Sequence, residues 1–183
     1  METNLQVTGE ERFFSEDEII VSKTNLKGHI TYANKLFLDI AGYSEAEVIG
    51  QPHNLIRHPD MPRVIFKLLW DSIREGKEIF AYVINRCKNG DHYWVYAHVT
   101  PSKCESGEIV GYHSNRRVPQ RDILEEMIIP LYQKLKAEEQ KVSNRKDGLL
   151  ASETMVSAML AEQEMQYDEY VMTLGQNRRR GYR

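Results

Sequence analysis

Hydrophobic and polar positions near the start of the chain form two short β-rich runs before the spacing becomes helical. Residues 19–23 and 29–32 are rich in β-branched and aromatic side chains and flank a turn at 25–28, which predicts a β-hairpin. Residues 35–41 then carry apolar side chains at helical spacing, and Gly42 is placed to end that helix. The order strand, strand, helix follows.

Two more helices are predicted before the chain returns to strands. Ser44 and Glu47 have the spacing of a capping box, which opens a short helix that ends at Gly50. A longer helix begins at about Asp60, whose carboxylate suits an N-cap at the positive end of the helix dipole. Its apolar stripe continues until Gly76 ends it.

Three strands follow, at 79–88, 93–99 and 108–117. Asn89-Gly90 between the first two is the strongest short-range signal for a hairpin, and Ser106-Gly107 turns the chain before the third. Tight hairpins make neighbouring strands antiparallel. We therefore predict an α+β fold, in which helices cover one face of a five-stranded antiparallel sheet.

The remainder of the chain predicts a C-terminal helical extension. After Pro119, residues 121–135 and 149–174 carry amphipathic helical patterns, and Pro130 is expected to kink or interrupt the first of them. The predicted organisation is a polar N-terminal cap docked through Phe13-Phe14, a central domain and this extension. Their boundaries are 1–18, 19–118 and 119–183.

Composition narrows the range of functions. With 183 residues and a net charge of −3, the chain fits one domain plus an extension and gives no reason to expect nucleic acid as a partner. The basic end Arg178–Arg180 is interpreted as solvated. Two cysteines without a CxxC pattern suit a reducing compartment, and no 18-residue apolar run occurs. A cytoplasmic protein without direct membrane insertion is expected.

The loop from Gly50 to Pro62 is the clearest candidate for chemistry. It holds two histidines, an arginine and an aspartate between prolines that restrict its backbone, so it is either a ligand grip or an ordinary rigid loop. No enzyme motif is present, and the two histidines lack a surrounding metal-binding pattern. Helices crossing a curved sheet leave a cavity that this loop and inward strand positions would line.

Several motifs in this order resemble a PAS domain, from about Ile19 to Arg117. They are Asn34, Gly42-Tyr43-Ser44, Gly50-Gln51-Pro52, Lys88-Asn89-Gly90 and Tyr93-Trp94-Val95. Residues 54–62, together with 88–94, resemble more narrowly the FAD-binding PAS domains of bacterial aerotaxis receptors. That resemblance implies a non-covalent FAD with its ring in the cavity.

The resemblance also implies which residues bind the cofactor. Arg57, His58 and Asp60 would hold the loop that grips FAD, with Arg57 on the pyrophosphate. Asn85 would face the pyrimidine edge of the flavin and His113 its reactive edge. The full implied set is Asn34, His53, Arg57, His58, Asp60, Trp70, Asn85, Tyr93 and His113.

The implied function is a redox or oxygen sensor of aerotaxis (energy taxis), which signals to a chemoreceptor or another signalling partner and is not an enzyme. One alternative is a PAS gas sensor that binds haem b, with His53, His58 or His113 as axial ligand. Another is a ligand-free dimerisation module. The tail helices are expected either to cover the outer sheet face at Trp94 and Tyr96 or to pair in a homodimer.

Overall fold

A computed structural model describes residues 6–174 and has a five-stranded antiparallel sheet at its centre. The order across the sheet is β2-β1-β5-β4-β3. The strands are β1 (Ile20–Thr24), β2 (Ile30–Ala33), β3 (Ile79–Arg86), β4 (His92–Lys103) and β5 (Ile109–Arg117). The predicted α+β fold is confirmed, whereas the basic end Arg178–Arg180 lies outside the described residues.

Helices between β2 and β3 lie over the inner face of this sheet. They are α1 (Lys35–Ala41), α2 (Glu45–Val48), a 3₁₀ turn (His53–Ile56) and α3 (Arg63–Arg74). The side chain of Asn34 caps α1 by accepting from the Phe37 amide, and Gly42 ends it with a φ of 75°, a conformation that costs glycine little. Because these signals are local, the predicted bounds of α1 are confirmed.

The start of α3 differs from the prediction. Pro62 is the N-cap and offers no side-chain hydrogen bond, while the side chain of Asp60 is 76% exposed. The amide of Val64 in the first turn instead donates to the carboxylate of Glu139 at 3.0 Å. Asp60 as the N-cap was therefore wrong, because a carboxylate distant in sequence occupies that place.

The register between strands fixes which side chains share a face. Asn85 is paired with Tyr93 on the inner face, while Tyr82 with Tyr96 and Ile84 with Trp94 lie on the outer face. The alternation predicted for β4 follows this register. Both faces are covered, since the C-terminal helices pack on the outer face of β3 and β4.

The C-terminal extension is more broken than its hydrophobic pattern indicates. It consists of α4 (Arg121–Ile123), a π-helical turn (Leu124–Ile128), α5 (Ile129–Gln140), α6 (Arg145–Glu162) and α7 (Tyr167–Thr173). The π turn lies directly before Pro130, which has no N–H for a regular helix, so the predicted interruption is present. A single helix over 149–174 was wrong: Glu164, at a φ of 52°, separates α6 from α7.

The tail covers the outer sheet face of the same chain. Tyr132 of α5 lies with its ring centroid 6.0 Å from that of Trp94 and donates its hydroxyl to the carbonyl of Tyr82 at 2.6 Å. Tyr167 of α7 lies at hydrogen-bond distance from the Tyr132 hydroxyl, 3.0 Å away. One of the two predicted arrangements of the tail is thus present. Within residues 6–174, no helix is long and apolar enough to cross a membrane.

The N-terminal segment docks mainly through charged groups. Arg12 pairs with Asp91 at 2.8 Å, and Glu11 pairs with Arg121 at 2.6 Å. Phe14 is half-buried against the core, whereas Phe13 is 70% exposed beneath the Arg121 guanidinium. Only one ring of the predicted Phe13-Phe14 anchor therefore packs.

Candidate functional site

A cavity of about 310 Å³ lies between the inner sheet face and the loop that leads into α3. This volume is at the lower end of the roughly 300–1,000 Å³ typical of small-molecule sites. Its sheet wall comprises Ser22, Thr24, Val83, Asn85, Ala97, Val99, Tyr112, Ser114 and Arg116. Its opposite wall includes Pro52, His53, Asn54, Ile56, Arg57, Phe66, Lys67, Leu69, Trp70 and Ile73.

The loop over the cavity is held at both ends by backbone contacts. The amide of His53 donates to the carbonyl of Gly28 at 2.9 Å, and Arg57 forms an isolated bridge with Asn85 of β3. Gly28 has a φ of 79°, and a Cβ there would lie 2.9 Å from the Trp70 ring. Only glycine therefore allows both this turn and the approach of α3 to it.

Arg116 on β5 is the most unusual group in the cavity wall. The residue is only 4% exposed, and its Nη2 donates to Ser22 Oγ at 2.9 Å and to His53 Nε2 at 2.7 Å. Among the described residues no hydrogen bond reaches its Nη1. Burial lowers the pKa of Arg116 to about 10, so the group stays charged near neutral pH. A desolvated cation without a carboxylate partner is costly, and it favours an acceptor in the cavity.

The Arg116 contact fixes the state of His53. A guanidinium can only donate, so Nε2 of His53 is the acceptor and the proton of the neutral ring is on Nδ1. Burial first, and then the charge of Arg116, lower the pKa of His53 to about 3. His53 is therefore neutral at physiological pH and acts here as a polar, uncharged wall.

Two further buried polar atoms on the sheet wall lack partners within residues 6–174. They are Nδ2 of Asn85, on β3, and Oγ of Ser114, on β5. Native proteins satisfy most buried polar groups, so such atoms require an explanation. With Arg116 they form a wall that offers hydrogen bonds to the polar edge of a flat ligand.

Arg57 supplies a second cation on the opposite side. Its guanidinium lies over the ring of Phe66, 4.4 Å from the centroid, and burial lowers its pKa. Lys27 and Lys67 also line the cavity, although Lys67 pairs with Asp71 and Glu153. This side of the cavity can therefore accommodate an anionic group.

The structure brings together five of the nine residues implied by the family resemblance. The cavity lining includes His53, Arg57, Trp70, Asn85 and His113. It does not include Asn34, His58, Asp60 or Tyr93.

Two of the four residues outside the lining have structural partners that account for them. Both side-chain ends of Asn34 are used: Oδ1 accepts from the amides of Val21 and Phe37, and Nδ2 donates to the Ile19 carbonyl. Nδ1 of the buried His58 accepts from the Asp60 amide at 3.1 Å. These contacts hold α1 and the loop in place.

Tyr93 and His113 lie close to the cavity without a simple fit to the implied roles. Tyr93 is fully buried on the inner face, and its hydroxyl has no partner among the described residues. His113 belongs to the lining, but β5 alternates, so this residue lies on the opposite face from Ser114 and Arg116. The predicted role of His113 at the ring therefore has no support from the register.

Sequence reasoning missed Arg116, Ser114 and Ser22. Strand alternation was the available signal: in 108–117 it places Ser114 and Arg116 together and His113 on the other face. A charged residue at an inward strand position indicates a special environment, since arginine is rarely buried without a partner.

Comparison with known proteins assigns this architecture. A family model described as the PAS fold matches residues 30–116. The chain is 41% identical over 138 residues to the aerotaxis receptor of Escherichia coli K12, a match that covers 75% of this chain and 27% of the receptor. The chain thus spans about a quarter of that relative's length.

Solved structures support the fold alone, because their sequences are distant. The LOV domain of the blue-light photoreceptor Aureochrome1 superposes with a TM-score of 0.54 at 22% identity, covering 61% of this chain and 89% of that one. A light-oxygen-voltage domain studied with a flavin analogue gives the same TM-score, 0.54, at 18% identity, with coverage of 63% and 87%.

Proposed function

This chain carries a PAS domain, and on that premise we propose that it is a cytoplasmic redox or oxygen sensor that binds FAD non-covalently and signals to a partner in chemotaxis. The observation that carries the proposal is the cavity wall of Arg116, Asn85 and Ser114. Each has a buried polar atom that no protein group within residues 6–174 satisfies. A flavin ring offers carbonyl and nitrogen groups along one edge that suit these partners.

The residues present fit a flavin in charge as well as in shape. A bound flavin supplies reversible oxidation and reduction, with a change of charge and protonation on the ring. Arg116 places a fixed cation beside the ring edge, where it stabilises added negative charge in a site that excludes water. His53, held neutral by burial and by Arg116, orients that guanidinium from the other side.

FAD rather than FMN is proposed because of the loop side of the cavity. Arg57 can form charge-assisted hydrogen bonds to a pyrophosphate, and Lys27 adds a second cation at the lining. Asp60 is exposed and does not line the cavity, so we propose that it acts only through the loop, next to the His58 ring. Asn34 is proposed to act indirectly, by holding α1 on β1.

A signalling role is proposed from the names of the relatives. One relative is an aerotaxis receptor, and a structural neighbour is a light-oxygen-voltage domain studied with a flavin analogue. Since the chain spans only 27% of the receptor, its partner is proposed by analogy: a chemoreceptor or a related signalling protein. We propose that the output passes through the tail on the outer sheet face, without an enzymatic step.

The proposed sensing activity is tested by redox cycling of the purified protein. We expect dithionite to bleach the bound flavin and air to restore its colour over repeated cycles. Arg57→Ala should lose most of the flavin while the domain stays folded by circular dichroism, and Asp60→Ala should lose less. Full retention of flavin by Arg57→Ala would refute the proposed grip. A Soret band in place of the flavin spectrum would support the haem alternative.

A further inference from the structure

The C-terminal helices are joined to the cavity through one buried carboxylate. We infer that Glu139 of α5 is a positioning residue for the cofactor: it closes the N-terminus of α3, so that docking of the tail and occupation of the cavity favour each other. The inference rests on the proposed flavin function and names a residue and a route that the function alone does not provide.

Glu139 reaches the first turn of α3 with both carboxylate oxygens. Its side chain is 1% exposed, and Oε2 accepts from Arg63 Nε at 2.9 Å. Oε1 accepts from the amide of Val64 at 3.0 Å. Pro62 offers no side-chain cap, so the carboxylate of Glu139 takes the position that a capping side chain would occupy.

A carboxylate at this end of a helix is favourable for two physical reasons. It satisfies a backbone N–H that has no partner inside α3, and it lies at the positive end of the helix dipole. Because Glu139 is buried, its pairing with Arg63 is little screened by solvent. Removing one partner of such a pair leaves the other uncompensated, which is a large perturbation for a single atom change.

The contact also fixes α6 at the same point. Arg63 Nη1 donates to the carbonyl of Arg145 at 2.9 Å, and Ser152 Oγ lies 3.4 Å from Glu139 Oε1. A Cβ on Gly148 would lie 2.3 Å from the Glu139 carbonyl oxygen, so α6 approaches α5 as closely as a backbone allows. Three helices therefore meet at one ion pair.

The other side of this junction is the cavity. The loop that carries Arg57 runs directly into α3, and α3 contributes Phe66 and Trp70 to the lining. Displacement of the first turn of α3 therefore moves the residues that face the ligand. By linkage, if tail docking strengthens ligand binding, ligand binding strengthens tail docking by the same factor.

The test compares two isosteric substitutions in the full chain. Glu139→Gln keeps the shape but removes the charge that pairs with Arg63. Glu153→Gln is the matched control, because Glu153 of α6 also joins the tail to α3, through Lys67 at 2.8 Å, without touching the helix N-terminus. Two readouts are needed: the FAD dissociation constant, and hydrogen exchange of amides in α5 and α6 with and without FAD.

We expect Glu139→Gln to weaken FAD binding at least about tenfold, which corresponds to about 1.4 kcal/mol, and Glu153→Gln to change it less than about twofold. In the wild type FAD should slow exchange in α5 and α6, and this effect should disappear in Glu139→Gln. A merely structural role would not produce an effect of the cofactor on the tail.

The outcomes separate the inference from the proposed function. Wild-type protein that binds no flavin refutes both. Flavin binding by Glu139→Gln equal to wild type, or tail exchange that ignores FAD in the wild type, overturns the inference alone. If Glu139→Gln does not fold, Gly148→Ala perturbs the same junction with the carboxylate intact, and unchanged FAD affinity in that variant also contradicts the inference.

Discussion

Replacing Arg116 with methionine should have opposite effects on the folding of the flavin-free protein and on flavin affinity. Methionine has a similar length but no charge and no donors. The substitution removes the bonds from Nη2 to Ser22 and His53, and it also removes an ion from a site that is 4% exposed. If Arg116 exists to meet a ligand, the flavin-free protein should gain from this change and the complex should lose.

The magnitude follows from these contacts. Hydrogen bonds from a charged donor contribute roughly 1.5–3 kcal/mol each, while burying an ion costs several kcal/mol. These terms offset each other, so we expect the flavin-free protein to unfold with a free energy within about 1 kcal/mol of wild type, or higher. Losing one charge-assisted bond to the flavin should weaken binding roughly 10- to 150-fold.

The assay is urea unfolding of the flavin-free protein together with fluorescence titration of FAD. Arg86→Met is the matched control: Arg86 is 9% exposed, its Nη1 donates to the Cys87 carbonyl, and it does not line the cavity. A flavin-free Arg116→Met protein destabilised by more than about 2 kcal/mol, with FAD affinity unchanged, would show that Arg116 is structural. The cavity wall would then lose its functional reading.

Three further predictions concern pH, light and assembly. Burial lowers the pKa of His58 from 6.5 to about 4, so the unfolded chain binds a proton that the folded chain does not. The free energy of unfolding should therefore fall as pH drops from 6.5 towards 4 in denaturant titrations, and less so in His58→Gln. Blue light should leave no lasting flavin adduct, because Cys87 is buried with its thiol on the Ile40 carbonyl and Cys104 is in an exposed hairpin turn; an adduct lost on mutating either cysteine would contradict this. A homodimer remains a prediction, and Leu150, 62% exposed on α6, should lie in its interface, so Leu150→Glu should lower the dimer fraction in sedimentation; a monomeric wild type at micromolar concentrations would refute it.

Local sequence signals were sufficient for elements that local interactions determine. Asn34 and Gly42 bracket α1 because a cap and a left-handed glycine act within one turn of the helix. The Asn89-Gly90 hairpin sets the antiparallel pairing of β3 with β4 for the same reason. The family resemblance then placed the cavity and five of its lining residues.

What the sequence could not predict depends on contacts between distant residues. Asp60 had the local chemistry of a cap for α3, but Glu139, 75 positions beyond Val64, has the position. Arg116 gains its meaning only once register places it opposite Ala97 and beside Ser22. The break at Glu164 lies in a stripe that fits a continuous helix, because the requirement to place Tyr167 against Tyr132 is tertiary.

The identity of the molecule that co-purifies with the chain tests the central claim most directly. Protein isolated without added cofactor should be yellow, and denaturation should release about one equivalent of FAD, identified by chromatography against FMN and riboflavin standards. A colourless protein that also fails to take up added FAD, or one that releases haem, would contradict the assignment of this cavity to FAD.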